Sequence, residues 1–236
     1  MPNPVLSAEG LIRMEGDLRT LNGLDVSLSR GRVLAVMGSN GAGKTTLLYV
    51  VAGLLSYQAG SLWRRGSRIP KENAPDPGVA LLSHQSFLYS HLSLGENLIF
   101  YGRLYQVPDV SERARWAAHR VGLNWAIHDL VGTFSRGMRQ RAGLARLLMQ
   151  DAWLWLLDEP ETGLDDEGRR CLEGLIHEQR DRGTAVLVTT HWLDEAMRLA
   201  DALAVLKAGR FLWWSQDRSH WPMMARRHLG GREDHA

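Results

Sequence analysis

Cysteine and long apolar runs are scarce in this sequence, and each shortage excludes a class of protein. Cys171 is the only cysteine among 236 residues, so the chain has neither a disulfide framework nor a cysteine-based metal site. A reducing compartment is the natural expectation for such a chain. The longest apolar runs, such as AWLWLL at 152–157, fall far short of the roughly 20 residues that a membrane-spanning helix needs. We therefore expect a protein that does not span a bilayer and that, if it works at one, is held there by a partner.

We also expect no signal peptide from the pattern of the first residues, and the chain has no strong charge of either sign. Its start, MPNPVLSAEG, has no basic stretch followed by an apolar one. The net charge of +2 is too small to indicate nucleic acid, and we expect no nucleic-acid partner. Hydrophobic residues make up 44% and charged residues 23%, which is ordinary for a globular protein. The length is sufficient for a single domain with a substantial core, with or without an inserted lobe.

Strand-like and helical segments alternate over most of the chain. Short β-branched and apolar runs predict strands at 32–38, 78–85, 153–157, 185–190 and 202–207. Helical spacing follows several of them, at 44–55, 166–182 and 193–200. This alternation predicts an α/β fold in which a mainly parallel sheet is covered on both faces.

The middle of the chain has a different pattern. Residues 93–149 carry helical spacing with little strand signal, which predicts a helical lobe inserted into the sheet domain. We divide the single domain, 1–236, into a core lobe, a helical lobe and a tail that we expect to be loosely ordered. The predicted boundaries are 1–86 with 151–215 for the core, 87–150 for the helical lobe and 216–236 for the tail.

A glycine-rich segment joins the first predicted strand to the first predicted helix. GSNGAGKTT at 38–46 fits the pattern G-x-x-x-x-G-K-[ST] in the strand–loop–helix context that this motif requires. Its glycines let the backbone present N–H groups to phosphate, Lys44 can reach the terminal phosphates, and Thr45 can ligate Mg²⁺. The alternative is a glycine-rich turn that happens to contain a lysine. The predicted nucleotide-binding residues are Gly38, Ser39, Asn40, Gly41, Ala42, Gly43, Lys44, Thr45 and Thr46.

Two acids follow the strand predicted at 153–157. Asp158 can bind Mg²⁺, and Glu159 can accept a proton from an attacking water. In isolation, the tripeptide Asp-Glu-Pro could equally be a turn. On a strand of the sheet that also carries the phosphate loop, it indicates a nucleotide-hydrolysing site.

With these motifs, nearly the whole chain resembles the nucleotide-binding subunit of an ATP-binding-cassette (ABC) transporter. Gln85 in SHQ resembles the glutamine that senses Mg²⁺ and the attacking water in that family. TGLD at 162–165 resembles its D-loop, with Asp165 at the dimer seam, and His191 in TTHWLDEA resembles its γ-phosphate switch histidine. The resemblance implies a P-loop NTPase (RecA-like) core, an N-terminal antiparallel β element and an inserted α-helical subdomain.

FSRGMRQR at 134–141 stands where this family has its signature L-S-G-G-Q-x-Q-R. The resemblance implies that Ser135 and Gly137 face the ATP held by a second copy. Two positions depart from the pattern, since Arg136 replaces a glycine and Met138 replaces a glutamine that could donate a hydrogen bond. We expect a working site with altered affinity. The alternative is that the arginines only solvate a helix face: Arg136, Arg139 and Arg141.

A finer resemblance links the chain to the ATP-binding subunit of the haem exporter of cytochrome c maturation. It rests on residues 81–107, on the S-R-G-M variant of the signature and on Met14 and Glu15, where the family often has an aromatic for adenine. Without that aromatic, we expect recognition of the base to be loose. The same resemblance predicts that apolar residues after Gln85 line a groove for a membrane subunit: Phe87, Leu88, Tyr89 and Leu92. For Leu88 and Leu92, the alternative of ordinary core residues is equally open.

The resemblance also implies cofactors, partners and a location. Two copies would bind two Mg·ATP head to tail, on the cytoplasmic face of the cell membrane, as a peripheral homodimer attached to permease subunits. Lys44, Gln85, Glu159 and His191 would be catalytic, and Thr45, Gln85 and Asp158 would hold the metal. The alternatives are an ABC subunit for another cargo, a soluble non-transport ABC ATPase and a non-hydrolysing regulatory module.

Overall fold

Two β-sheets and the helices that cover them make up the described part of the chain, residues 4–72, 74–83 and 86–229 of a computed structural model. The strands are β1 (Leu6–Glu15), β2 (Leu18–Leu28), β3 (Val33–Met37), β4 (Ala59–Arg64), β5 (Ser67–Ile69), β6 (Val79–Leu82), β7 (Leu154–Asp158), β8 (Ala185–Thr190), β9 (Ala202–Lys207) and β10 (Arg210–Ser215). The α-helices are α1 (Lys44–Ala52), α2 (Leu94–Leu104), α3 (Val110–Arg120), α4 (Arg136–Leu147), α5 (Asp166–Asp181), α6 (Leu193–Leu199) and α7 (Trp221–Leu229).

The larger sheet has the strand order β10-β9-β3-β8-β7-β6, and β10 alone runs antiparallel to its neighbour among these described strands. Its central strands are buried on both faces, as parallel strands covered by helices are. In β3, Val33, Ala35 and Met37 belong to one core cluster, while Leu34 and Val36 belong to the other. The predicted mainly parallel sheet is therefore confirmed.

The smaller sheet is antiparallel, with the order β2-β1-β4-β5. Together with α1 it covers one face of the larger sheet, because Leu6 and Leu62 share a buried cluster with Leu48 of α1 and Leu34 of β3. The antiparallel N-terminal element is thus also confirmed.

Helices α2, α3 and α4 all lie between β6 and β7, which confirms the helical insertion. Ser93 starts α2 with a reciprocal capping box, in which its side chain accepts from the Glu96 N–H and Glu96 accepts from the Ser93 N–H. Leu98 of α2 and Leu144 of α4 share a buried cluster with Leu157 of the central sheet. The proposed boundaries at 87 and 150 stay predictions, because this core is continuous across them.

The prediction of a loosely ordered tail is wrong for 216–229. Asp217 accepts the Ser219 N–H at 3.0 Å, and α7 follows. Trp221 is fully buried and Ala225 is 6% exposed, so one face of α7 packs onto the core. Burying a large aromatic side chain stabilises this packing by roughly 2–3 kcal/mol. The prediction for 230–236 lies outside the described residues. Within the described ranges, no helix combines the length and the apolar character that crossing a membrane demands.

Candidate active site

The carboxyl ends of three neighbouring strands meet at one edge of the larger sheet. Met37, the last residue of β3, is paired with Thr190, and Asp158, the last residue of β7, is paired with Thr189. The loops after β3, β7 and β8 therefore start side by side. In open α/β sheets, this edge is where ligands bind.

The phosphate loop lies between β3 and α1 and is tightly enclosed by backbone. Gly43 has φ +105°, and a Cβ atom there would lie 2.4 Å from the Thr20 carbonyl oxygen. At Gly38 it would lie 2.6 Å from the Leu206 carbonyl oxygen, so both positions require glycine. The exposed part of the loop consists of Ser39, Asn40 and Gly41, whereas Ala42 is buried.

Lys44 opens α1 and turns back across this loop. Its side chain is buried, and Nζ donates to the Gly38 carbonyl oxygen at 2.7 Å. The ammonium group and the N-terminus of α1 thus lie beside the same loop. This combination of a positive charge and helix N–H groups is suited to a phosphate anion.

Thr45 and Asp158 form a pair of oxygen groups beside the lysine. Thr45 Oγ1 donates to Asp158 Oδ2 at 2.7 Å, and Thr189 Oγ1 donates to Asp158 Oδ1 at 2.7 Å. Both carboxylate oxygens are therefore oriented by hydroxyl groups. A hydroxyl and a carboxylate in contact are hard oxygen donors of the kind that Mg²⁺ takes, so the donor set fits this metal.

Glu159 leaves β7 in a left-handed conformation, with φ +47°. Its N–H donates to the Thr189 carbonyl oxygen at 3.1 Å, which ties the turn to β8. Its carboxylate lies between the ammonium group of Lys44 and the imidazole ring of His191. Oε1 is 3.3 Å from Lys44 Nζ, and Oε2 is 3.6 Å from His191 Nδ1. The structure thus brings together Lys44, Glu159 and His191, as the sequence predicts.

Two residues of this region do not figure in the sequence predictions. Thr190 Oγ1 donates to Glu161 Oε1 at 2.5 Å and accepts the Trp192 N–H at 3.1 Å. Burial raises the pKa of Glu161 to about 7. The signal that could have found it is an extra acid two positions after Glu159, although the sequence alone does not show that this acid is buried.

The signature segment lies on the helical insertion. Ser135 caps α4, and its Oγ accepts the Met138 N–H at 3.2 Å. A Cβ atom at Gly137 would lie 2.9 Å from the Gly163 carbonyl oxygen, and the exposed Arg136 side chain also lies against Gly163. The structure therefore places the signature residues beside the D-loop segment of their own chain, residues 162–165. Among the described residues, these contacts do not include the phosphate loop.

Two further contacts fix the segment after Glu159. Gln140 Nε2 of α4 donates to the Pro160 carbonyl oxygen at 2.9 Å. Asp165 caps α5 by accepting the Gly168 N–H at 2.8 Å. Residues 160–165 are consequently held between the signature helix and α5.

Gln85 lies outside the described residues, but the residues that flank its segment are held by Arg146. This side chain is 4% exposed and donates from Nη2 to the Leu81 carbonyl oxygen and from Nε, at 3.2 Å, to the Ser86 carbonyl oxygen. Burial lowers the pKa of Arg146. No motif in the sequence marks Arg146, because its partners are backbone carbonyl groups that leave no side-chain pattern.

The predicted apolar groove is only partly exposed. Phe87 and Tyr89 are 40% and 41% exposed, whereas Leu88 packs against the core and Leu92 is half-buried. The Tyr89 ring meets the exposed Phe100 ring edge to face at 5.2 Å. The exposed apolar surface therefore comprises Phe87, Tyr89 and Phe100, which we call the aromatic patch.

Residues 11–17, at the end of β1, contain no aromatic residue. The Met14 N–H donates to Gln58 Oε1 at 2.9 Å, and Glu15 is exposed at the end of β1. Loose recognition of adenine stays a prediction.

Comparisons with known proteins identify relatives and a shared fold. A sequence model of the ABC transporter family matches residues 21–162. The chain is 40% identical over 196 residues to the cytochrome c biogenesis ATP-binding export protein CcmA 2 of Cupriavidus metallidurans, covering 81% of this chain and 91% of that protein. It is 36% identical over 217 residues to the daunorubicin resistance ATP-binding protein DrrA3 of Streptomyces coeruleorubidus, covering 90% of this chain and 68% of that protein.

A solved structure of an ATP-binding subunit of an ABC transporter superposes with a TM-score of 0.82 at 24% identity, covering 96% of this chain and 95% of that one. At this level of identity the likeness shows the fold alone. It confirms the predicted fold class, a P-loop NTPase core with a helical insertion.

Proposed function

The chain belongs to the family of ATP-binding subunits of ABC transporters, and from that premise we propose that it hydrolyses Mg·ATP at two sites shared by two copies of the chain. The observation that carries the proposal is the convergence of Lys44, Glu159 and His191 beside the Thr45–Asp158 pair. This arrangement offers phosphate binding, metal binding and a base within one edge of a sheet.

Each of these residues has a distinct role in the proposal. The phosphate-loop N–H groups and Lys44 bind the phosphates of ATP. Thr45, Asp158 and Gln85 hold Mg²⁺, which supplies positive charge to the phosphate oxygens when bound. Glu159 accepts the proton of the attacking water, and His191 holds this water against the γ-phosphate.

In this proposal, one chain supplies only part of each ATP site, and the signature helix α4 of the other copy supplies the rest. Ser135 Oγ and the Gly137 N–H at the start of α4 bind the γ-phosphate of the partner's ATP. Support comes from their position at the N-terminus of α4, where Ser135 is exposed and Gly137 is half-buried against Gly163 of its own chain. Closure of the dimer then depends on the γ-phosphate and is lost on hydrolysis.

A membrane permease is the second partner that we propose. The aromatic patch of Phe87, Tyr89 and Phe100 follows the Gln85 segment and begins on a loop, where it can bind an apolar helix from such a subunit. The ATPase is then peripheral, on the cytoplasmic face of the cell membrane.

The finer proposal is a role in the haem-handling complex of cytochrome c biogenesis. Support comes from the 40% identity to a relative named for that process, and from the sequence features of residues 81–107. The relative named for daunorubicin resistance, at 36% identity, supports the alternative of another cargo.

The test of the ATPase proposal is phosphate release by the purified chain, with and without Mg²⁺. We expect Mg²⁺-dependent release that the substitution Lys44→Ala abolishes. Equal rates for both proteins would overturn the assignment of the phosphate loop, and no release with or without permease subunits would favour the non-hydrolysing module. Copurification with haem-handling or with drug-exporting membrane subunits then decides between the two cargoes.

A further inference from the structure

Glu161 is a buried acid for which the proposed hydrolysis has no role. It lies in the turn between β7 and α5 and is 1% exposed. Its Oε1 accepts from the Thr190 hydroxyl, while its Oε2 is buried without a hydrogen-bond partner among the described residues. A carboxyl group in such surroundings is costly to bury, so its position needs a physical explanation.

The Thr190 hydroxyl connects Glu161 to both sides of His191. A hydroxyl has one hydrogen to donate and lone pairs to accept with. Thr190 Oγ1 gives its hydrogen to Glu161, which leaves a lone pair aimed at the Trp192 N–H at 3.1 Å. The residues before and after His191 are thereby joined to one carboxyl group on the neighbouring turn.

Charged groups surround this carboxyl on the elements that pack against it. Burial is the main cause of the raised pKa of this carboxyl, and the Thr190 hydrogen bond opposes it. Glu195 on α6 and Glu159 on the same turn add to the rise. Glu195 is itself paired with Arg198 at 2.7 Å and with Arg169 of α5 at 3.5 Å. Glu159 faces Lys44 and His191 in turn, so its own charge is compensated.

We propose that Glu161 is a positioning residue for His191, acting through the hydroxyl of Thr190. The contact fixes the backbone of 190–192 and so sets the imidazole against Glu159 Oε2, 3.6 Å away. The proposal rests on the proposed ATP hydrolysis for its kinetic consequences, but the contact itself can be tested without any hydrolysis.

The kinetic test compares Glu161→Ala and Thr190→Val with Thr190→Ser, which keeps the hydroxyl. Loss of one hydrogen bond of about 1 kcal/mol corresponds to a rate change of roughly fivefold. We expect both disruptive variants to lower kcat by about this factor, with KM for ATP nearly unchanged, and Thr190→Ser to restore the rate. We also expect the double variant Glu161→Ala with Thr190→Val to be no slower than either single variant, because the two residues act as a unit.

The exposed Glu167, in the first turn of α5, provides a matched control for the change of charge. Glu167→Ala, matched to Glu161→Ala, and Glu167→Gln are both expected to keep the rate of the unsubstituted protein. Unchanged kcat in Glu161→Ala and Thr190→Val, or additive losses in the double variant, would overturn the proposal.

Hydrogen exchange tests the contact independently of activity. We expect exchange of the 190–192 amides to speed up in Glu161→Ala and Thr190→Val, while amides of β3 keep their protection. If exchange changes in this way but the unsubstituted protein does not hydrolyse ATP, the result would contradict the proposed hydrolysis and leave the role of Glu161 intact. An active protein whose 190–192 amides exchange at the same rate in all variants would contradict the role of Glu161 alone. Loss of protection in β3 as well would show general unfolding and would equally contradict a local positioning role.

Discussion

The site has a strand-end half, formed by Lys44, Asp158 and Glu159, and a signature half, formed by Ser135 and Arg136 at the start of α4. The two halves differ in how many of their contacts are made within one chain. At the strand ends, Lys44, Asp158 and Glu159 are largely buried and already bonded to one another or to the loop. At the start of α4, Ser135 and Arg136 are exposed, and this end of the helix lies against the segment after Glu159 in its own chain. The comparison teaches that the first half is preorganised for chemistry, whereas the second is presented outward.

The largest effect is expected from Glu159→Gln, in the strand-end half. Loss of the base should slow phosphate release by about 10²–10⁴-fold, while ATP binding persists because Lys44 and the loop are intact. Phosphate release and equilibrium nucleotide binding measure the two properties separately. Turnover at the rate of the Glu167→Gln control would remove Glu159 from its role.

Gly137→Ala should break the signature half and leave the strand-end half intact. The added Cβ would lie 2.9 Å from the Gly163 carbonyl oxygen, so the start of α4 must shift. A misplacement of this kind lowers turnover by up to about 10²-fold, with ATP binding to a single chain unchanged. Turnover is measured at concentrations where the chain can dimerise, and ATP affinity is measured separately under conditions where the chain is monomeric.

Gly174→Ala is the matched control for this substitution. Gly174 lies within α5, and a Cβ atom there would meet nothing within 4 Å. We expect unchanged turnover and a stability gain of up to about 1 kcal/mol from the better helix former. Equal losses of turnover in both alanine variants would contradict a specific role for the start of α4.

A further prediction concerns stability and its dependence on pH, with no expected change in turnover, and it sharpens the account of the buried strand-end half. Because burial raises the pKa of Glu161 to about 7, the folded protein keeps this proton over a range in which the unfolded chain has released it. Stability from this group is therefore present below the ordinary pKa of Glu and is lost as pH rises towards 7. Relative to Glu161→Gln, the unsubstituted protein should lose up to about 3 kcal/mol between pH 4.5 and pH 8.

Urea unfolding of both proteins across this pH range checks the prediction. The unpaired amide of the Gln variant adds an offset that does not change with pH, so only the slope matters. A constant difference between the two proteins would show that Glu161 is not perturbed by burial.

Much of the fold and of the strand-end half can be predicted from the sequence. Parallel strands end at one edge, so a phosphate loop after β3 and acids after β7 must come close, as Thr45 and Asp158 do. The contacts of Arg146 and Glu161 could not be predicted, because they depend on which buried groups face each other. The order of α7 was missed because polar and charged residues flank it on both sides, and its buried face is short, with Trp221 and Ala225 as its buried residues.

A mixing experiment tests most directly whether each site draws its two halves from two chains. Lys44→Ala and Gly137→Ala chains should each have little activity alone. Mixed, they should regain ATP hydrolysis, because a mixed dimer contains one site with an intact loop from one chain and an intact signature helix from the other. Mixtures no more active than the separate proteins would contradict the shared site.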